Sequence, residues 1–319
     1  MIIRFGYVAM ATSLYDASPS KTMTFSRYKQ LGKKERIKQL KEITRANLEH
    51  TIRALHYNIA HEIHLYRFSS SLVPLATHEE VEWDYLTPFQ KEYEKIGELV
   101  KEHQMRTSFH PNQFTLFTSE KEHVTTNTVK DMEYHYSLLE AMGLEKESHI
   151  NLHVGGAYGD KPSAMERFHA NLKQLPIPIK KQMTLENDDK TYTTTETLSI
   201  CEKESIPMMF DYHHYMANHE EEEKKLEDLL LRFYQTWSNN PFPPKIHASS
   251  PRSEKAYRSH ADFVDIEFIK PLIKVLKSHQ VDVDFMIEAK KKDKAVLQLV
   301  EDVAKIRGAK RIDGATIKI

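Results

Sequence analysis

Short apolar segments alternate with longer amphipathic ones along almost the whole chain. The short segments, over residues 2–8, 62–68, 106–109, 149–154, 182–186, 208–211, 245–248 and 283–289, carry the pattern of buried strands. Helical periodicity fills the spaces between them, over residues 34–59, 86–103, 126–142, 163–172, 194–204, 220–234, 265–279 and 294–306. Pro162 and Pro271 suit first turns, where a missing N–H costs nothing. Glu220 to Glu223 would open their helix, because carboxylates favour the positive end of the macrodipole. Repeated strand–helix units predict an α/β fold, a single (β/α)8 TIM barrel over residues 1–319. Its core would run to about residue 290, with a C-terminal helix and basic tail over 291–319. A doubly wound sheet is the runner-up. It fits less well, because no strand is followed by a Gly-rich phosphate loop. The segment Gly155-Gly156-Ala157-Tyr158-Gly159 lacks that spacing and reads instead as a tight turn beside a site.

Composition narrows the function classes. One cysteine among 319 residues excludes a disulfide framework and a Cys-rich zinc module. No apolar run reaches the ~18–20 residues of a membrane span, and the N-terminus turns polar too soon for a signal peptide. A cytoplasmic, reducing location is the expectation. With 45 Lys+Arg against 46 Asp+Glu the net charge is -1, which at face value disfavours a nucleic-acid ligand. The distribution reverses that impression. Residues 1–60 hold 11 basic and 4 acidic side chains, and residues 289–319 hold 9 and 4. The ends are therefore basic and the middle is acidic.

Eighteen histidines raise the question of metal binding, and their spacing answers it. Metal-ligand side chains recur at or after the C-terminal ends of the strands: His78, His110, His153, Glu186, Asp211, His247, His260 and Glu288. In a barrel these ends converge on the face that holds active sites. Any one of them has a structural explanation, such as a cap or an ion pair. Seven successive units delivering them to one rim do not. The carboxylates of Glu186, Asp211 and Glu288 would repel one another unless protonated or bridged by cations, so a cluster of divalent metals is expected. His213 and His214 are adjacent and cannot readily serve one metal; His214, three residues after Asp211, is the preferred ligand. His64 and His149 read as structural, and the remaining histidines as surface or packing residues.

At these residues the chain resembles the UV damage endonuclease (UVDE) family of DNA-repair enzymes and, more distantly, endonuclease IV and sugar-isomerase-like metal barrels. The motifs are Phe109-His110-Pro111-Asn112-Gln113-Phe114, Leu152-His153-Val154-Gly155-Gly156, Leu185-Glu186-Asn187-Asp188, Lys245-Ile246-His247-Ala248 and Ile287-Glu288-Ala289-Lys290. The resemblance implies up to three divalent cations, manganese first and magnesium, cobalt or zinc as alternatives. The nine metal-site residues would be His78, His110, His153, Glu186, Asp211, His214, His247, His260 and Glu288, with Glu186 bridging. Glu186, Lys245, His247 and Glu288 would carry catalysis, and Lys245 holds the position of a lysine that the family can carboxylate. Gln113 and Phe114 match a lesion-probing Gln–Tyr pair, with the hydroxyl lost, and Tyr7 matches a tyrosine near the lesion.

The implied activity is incision of duplex DNA on the 5′ side of UV photoproducts, both cyclobutane pyrimidine dimers and 6-4 photoproducts, leaving 3′-hydroxyl and 5′-phosphate. Clustered cations suit such chemistry because they neutralise phosphate charge and activate water. A crosslinked pyrimidine pair is poorly stacked and cheap to extrude, and Gln113 with Phe114 could fill the gap. Lys290, Lys291 and Lys292, with Arg252, Lys255 and Arg258, would meet phosphates. No membrane or protein partner is implied. The competing readings are a sugar isomerase or epimerase on the same barrel, and a non-catalytic lesion-recognition module with structural metals.

Overall fold

Alternation of side chains along each strand builds the molecule. The computed structural model describes residues 1–219 and 225–319. Its strands are Ile2–Val8 (β1), Leu65–Arg67 (β2), Arg106–Phe109 (β3), His149–His153 (β4), Met183–Glu186 (β5), Met208–Asp211 (β6), Lys245–Ala248 (β7), Val283–Ile287 (β8), Lys310–Arg311 (β9) and Thr316–Lys318 (β10). Strands β1 to β8 are parallel and neighbour one another in order, and β1 pairs with both β8 and β2. The barrel is therefore closed, with helices between successive strands, as the periodicity predicts.

Successive residues of a strand face opposite sides. On β1, Ile3, Phe5 and Tyr7 join the apolar layer between barrel and helices, each worth about 1.5–3 kcal/mol on burial. Arg4, between them, turns into the lumen to Asp284 of β8 at 2.7 Å. Arg106 of β3 reaches the same carboxylate across the lumen, also at 2.7 Å. Gly6 stands where β1 meets β2: a Cβ there would lie 2.0 Å from the Leu65 carbonyl oxygen. The seam closes only around a glycine.

The helix Lys33–Ala60 has 28 residues and is about 42 Å long at 1.5 Å per residue. Its first half gathers the loops that follow β1 and β2 into a second apolar cluster. Met23, Tyr28, Leu40 and Val81 form its centre, with Phe25, Ile37 and Trp83 against them. This cluster stands on the same side as the C-terminal strand ends.

Several boundaries differ from the sequence reading. The second strand shrinks to Leu65–Arg67 because Glu62 adopts φ 53° and the Ile63 N–H donates to Asn58, which closes the preceding helix. Residues 86–103 begin as a 3-10 turn, Thr87–Phe89, before the α-helix Gln90–Glu102. Pro162 does lie in the first turn of its helix, Lys161–Asn171. Pro271 does not: it is the sixth residue of Ile266–His279, where it removes an interior hydrogen bond. The helix expected from Glu220 is described from Leu226 to Thr236, and Glu220 to Glu223 lie outside the described residues. The expected basic tail is a hairpin. Strand β10 pairs antiparallel with the first half of β1, the half that short β2 leaves open, and β9 pairs with β10. Met1 and Ile319 consequently meet, the Ile319 N–H donating to the Met1 carbonyl at 2.9 Å.

Candidate metal centre

The inward positions near the C-terminal ends of the strands are His153 on β4, Glu186 on β5, Asp211 on β6 and His247 on β7; His110 and Glu288 follow β3 and β8. Register sets His153 opposite Glu186 and Asp211 opposite His247. Among the described residues, two groups of three bring their ligand atoms within 4.8 Å of one another: His110, His153 and Glu186, and Glu186, Asp211 and His247. Glu186 belongs to both. His110 Nε2 lies 3.1 Å from Glu186 Oε2, and His247 Nδ1 lies 3.0 Å from Oε1. His214 Nδ1 lies 3.6 Å from Glu186 and 3.8 Å from Asp211. His247 Nδ1 is 3.3 Å from Glu288, whose other oxygen is 3.9 Å from His260.

The electrostatics follow from burial and proximity. Burial pushes the Glu186 carboxyl up, but the imidazoles of His247 and His153 and the bonds from His110 and His247 outweigh it and hold the group well below the carboxylate range. Glu288 is lowered too, with Arg67 and His247 overcoming burial. His214 moves the other way: burial opposes its charge, yet Asp211, Glu186 and Glu288 raise it to about 9. Lys245 is fully buried, and desolvation reinforced by Arg106 lowers its ammonium far below the usual range. Its Nζ lies 3.3 Å from Ser108 Oγ, one inward position before His247.

These residues fit divalent cations. Asp211 Oδ2 and His153 Nδ1 are buried without a hydrogen-bond partner among the described residues, an expensive arrangement unless a ligand completes it. Three imidazoles commit Nδ1 to a backbone carbonyl, as metal-binding histidines usually do; among the described residues the Nε2 of His214 and of His260 has no hydrogen-bond partner, while that of His110 faces Glu186. His110 Nδ1 donates to Pro111 at 3.0 Å, His214 Nδ1 to Asn187 at 3.0 Å and His260 Nδ1 to Glu288 at 2.5 Å. The mixed nitrogen and oxygen donor set suits first-row divalent metals. His213 has both nitrogens engaged, with Ser249 Oγ and the Tyr257 carbonyl, which accords with His214 as the ligand. His149 is structural as read, bonded to Asn240 at the barrel floor.

Other predicted residues fall less uniformly. His78 is in neither group; its ring stacks on Phe25 at 3.9 Å and its Nδ1 accepts from the Glu80 N–H. Tyr7 is corrected outright. It faces the helices rather than the rim, is 0% exposed, and donates its hydroxyl to Asn58 Oδ1 at 2.6 Å. Gln113 and Phe114 stand exposed on the loop after His110, Phe114 at 77%. Arg252, Lys255, Lys290 and Lys291 are exposed, Lys292 is half-buried beside Glu288, and Arg258 is tied to Asp189. Gly155 has φ 123° and a Cβ there would lie 2.4 Å from Thr118 Oγ1, so the tight turn is real.

Sequence reasoning missed two lumen residues. Asn151 donates to Glu186 while accepting from Thr184, and Arg67 donates to Glu288. Both sit on the inward face of their strands, a signal that alternation carries. It singled out Phe114 but missed the aromatics that accompany it: among the described residues Tyr15, Tyr158 and Phe263 are exposed as well, and all four lie on loops that follow barrel strands.

Comparison with known proteins agrees with this geometry. The family model described as UV-endonuclease UvdE matches residues 3–319. A protein of Bacillus cereus (strain B4264) named UV DNA damage endonuclease is 61% identical over 318 residues, covering 100% of both chains. A crystal structure titled SacUVDE superposes with a TM-score of 0.83 at 28% identity, covering 95% of this chain and 100% of the other. Endonuclease IV from Thermus thermophilus shares the fold, with a TM-score of 0.58 at 12% identity over 94% of this chain and 98% of its own.

Proposed function

Because the chain belongs to the UV-endonuclease UvdE family, we propose that it nicks UV-damaged duplex DNA on the 5′ side of cyclobutane pyrimidine dimers and 6-4 photoproducts. Water adds to phosphorus, the P–O3′ bond breaks, and the products are a 3′-hydroxyl and a 5′-phosphate. The observation that carries the reading is Glu186, shared by two ligand groups on a rim from which Phe114 projects. The family assignment and that exposed aromatic leave the sugar-isomerase alternative without support. The cluster of oriented ligands likewise speaks against a purely structural metal site.

His110, His153, His214, His247 and His260, with Glu186, Asp211 and Glu288, would hold up to three divalent cations, manganese foremost; His78 is the remaining candidate ligand. Such cations supply charge neutralisation for the phosphodiester and acidify water. The protein's part is positional. Asn151 and His110 fix the Glu186 carboxylate, Asn187 fixes Asp211 and His214, and Arg67 fixes Glu288. Gln113 and Phe114 would enter the stack left by the extruded pyrimidines, and Arg252 and Lys290 would contact phosphates beside them. Lys245 is buried, and Arg106, Arg4 and Arg67 outnumber the Asp284 carboxylate among the charges that act on it most. Carboxylation of its amine would place an anion in that basic lumen, which supports the modification. The free, buried Cys201 suits a reducing cytoplasm.

The test is incision of an end-labelled duplex carrying one thymine dimer, with manganese, beside the undamaged duplex. Selective cutting 5′ to the dimer is expected, and Glu186→Gln should abolish it and lower bound manganese. Equal cutting of both duplexes, or of neither, would sink the proposal.

A further inference from the structure

We propose that Arg67 is a phosphate-binding residue of the incision site, an inference that rests on the endonuclease function proposed above. Arg67 ends β2, in register with Val8 of β1 and Ser108 of β3. Its neighbours Tyr66 and Phe68 belong to the outer apolar layer, so Arg67 turns inward at the rim. One guanidinium nitrogen, Nη1, donates to Glu288 Oε1, and each of the two side chains is 13% exposed. Glu288 in turn stands 3.3 Å from His247. The guanidinium therefore borders the metal centre.

Its remaining N–H groups make the case. Among the described residues Nε and Nη2 have no hydrogen-bond acceptor, yet they are not sealed from solvent. Arg106, deeper in the lumen, differs in its access to solvent. It is 1% exposed at its side chain, and its Nη1 serves both Asp284 and the Pro243 carbonyl. Its Nε and Nη2 are sealed from solvent with no acceptor among the described residues, and its guanidinium lies 5.1 Å from each of the Trp237 and Phe242 rings, so no ligand can reach it. That is a structural arginine. Arg67 has one partner, an open fork and a second cation nearby, half-buried Lys292. A fixed positive charge beside cation ligands weakens metal binding unless an anion joins it. A phosphodiester is such an anion, and a guanidinium fork matches its two non-bridging oxygens.

The test compares Arg67→Ala, Arg67→Lys and Arg67→Gln with the wild type, after thermal melting has shown each to be folded. Three quantities are read: manganese bound per chain, salt dependence of affinity for a dimer-bearing duplex without added metal, and incision with manganese. Manganese content should stay within about twofold. The slope of log affinity against log salt should shrink by about 0.9 in Arg67→Ala, the value of one phosphate contact. Incision should fall about 100-fold, the scale of one lost oxyanion donor; lysine should restore part of it and glutamine none. An unchanged salt slope overturns the assignment. So does rescue by glutamine, or activity that merely tracks metal content, because either reduces Arg67 to a support for Glu288. A wild type that cuts no dimer counts against the function proposed above, while the salt slope still decides the phosphate contact.

Discussion

Tyr7 and Phe114 are both aromatic residues assigned to the lesion from sequence, and their surroundings separate them. Phe114 is 77% exposed and spends nothing on the core. Phe114→Ala should leave stability within about 0.5 kcal/mol but reduce the preference for damaged over undamaged duplex about tenfold, as loss of one stacking contact does. Tyr7→Phe should do the reverse. It leaves Asn58 Oδ1 without its donor, costing about 1–2 kcal/mol in urea unfolding, with selectivity unchanged. Exchange of those two outcomes would refute the placement. The candidate ligand groups were legible because imidazoles and carboxylates at strand ends announce themselves. Asn151 and Arg67 were not, since a search for ligands passes over a donor amide and a cation. Tyr7 was misread because its motif is silent about side-chain direction. On β1 the odd-numbered residues Ile3, Phe5 and Tyr7 all face the helices.

At the scale of elements, the barrel depends on how β1 is shared. It pairs with β8 along most of its length, with β2 near its C-terminal end and with β10 near its N-terminal end. Gly6 sits where β2 begins. Gly6→Ala should destabilise the protein by about 3 kcal/mol through overpacking against the Leu65 backbone, read as a lowered urea midpoint with an unchanged slope. A neutral substitution would show that the seam relaxes easily. Periodicity located all eight barrel strands and a long helix after each, though not the short helices Phe25–Gln30, Ile177–Lys180 and Tyr212–Ala217, and the helix over residues 194–204 is confirmed at both ends by the Thr193–Glu196 capping box and Ser205. The terminal hairpin escaped it. Strands of 2 and 3 residues are too short to show a period, and their pairing with residues some 300 positions earlier leaves no local trace.

For the whole molecule, charge divides along the barrel axis. Carboxylates and imidazoles crowd the rim, whereas the floor holds Arg4, Arg106 and Lys245 around Asp284. Burial alone would raise the Asp284 carboxyl, but Arg106 and Arg4 outweigh it and the group is lowered. Its contribution is therefore present above the unfolded value near 3.9 and lost as pH falls through the lower folded value. Asp284→Asn should cost about 3–5 kcal/mol at pH 7, because Arg106 is left buried and unanswered. The gap to the wild type should narrow below about pH 4; a gap that stays constant to pH 2 would disprove the coupling. Net charge concealed this division, since opposite signs occupy opposite ends of one lumen.

The meeting of Met1 and Ile319 has a practical side. Both lie at the floor of the barrel, at the opposite end from the rim that carries the candidate metal centre. A dye, an affinity handle or a glass-surface tether fixed to either end would leave the rim pointing outward. A short linker joining the ends would permit new ones to be opened elsewhere, turning the molecule into a circular permutant with its working face intact.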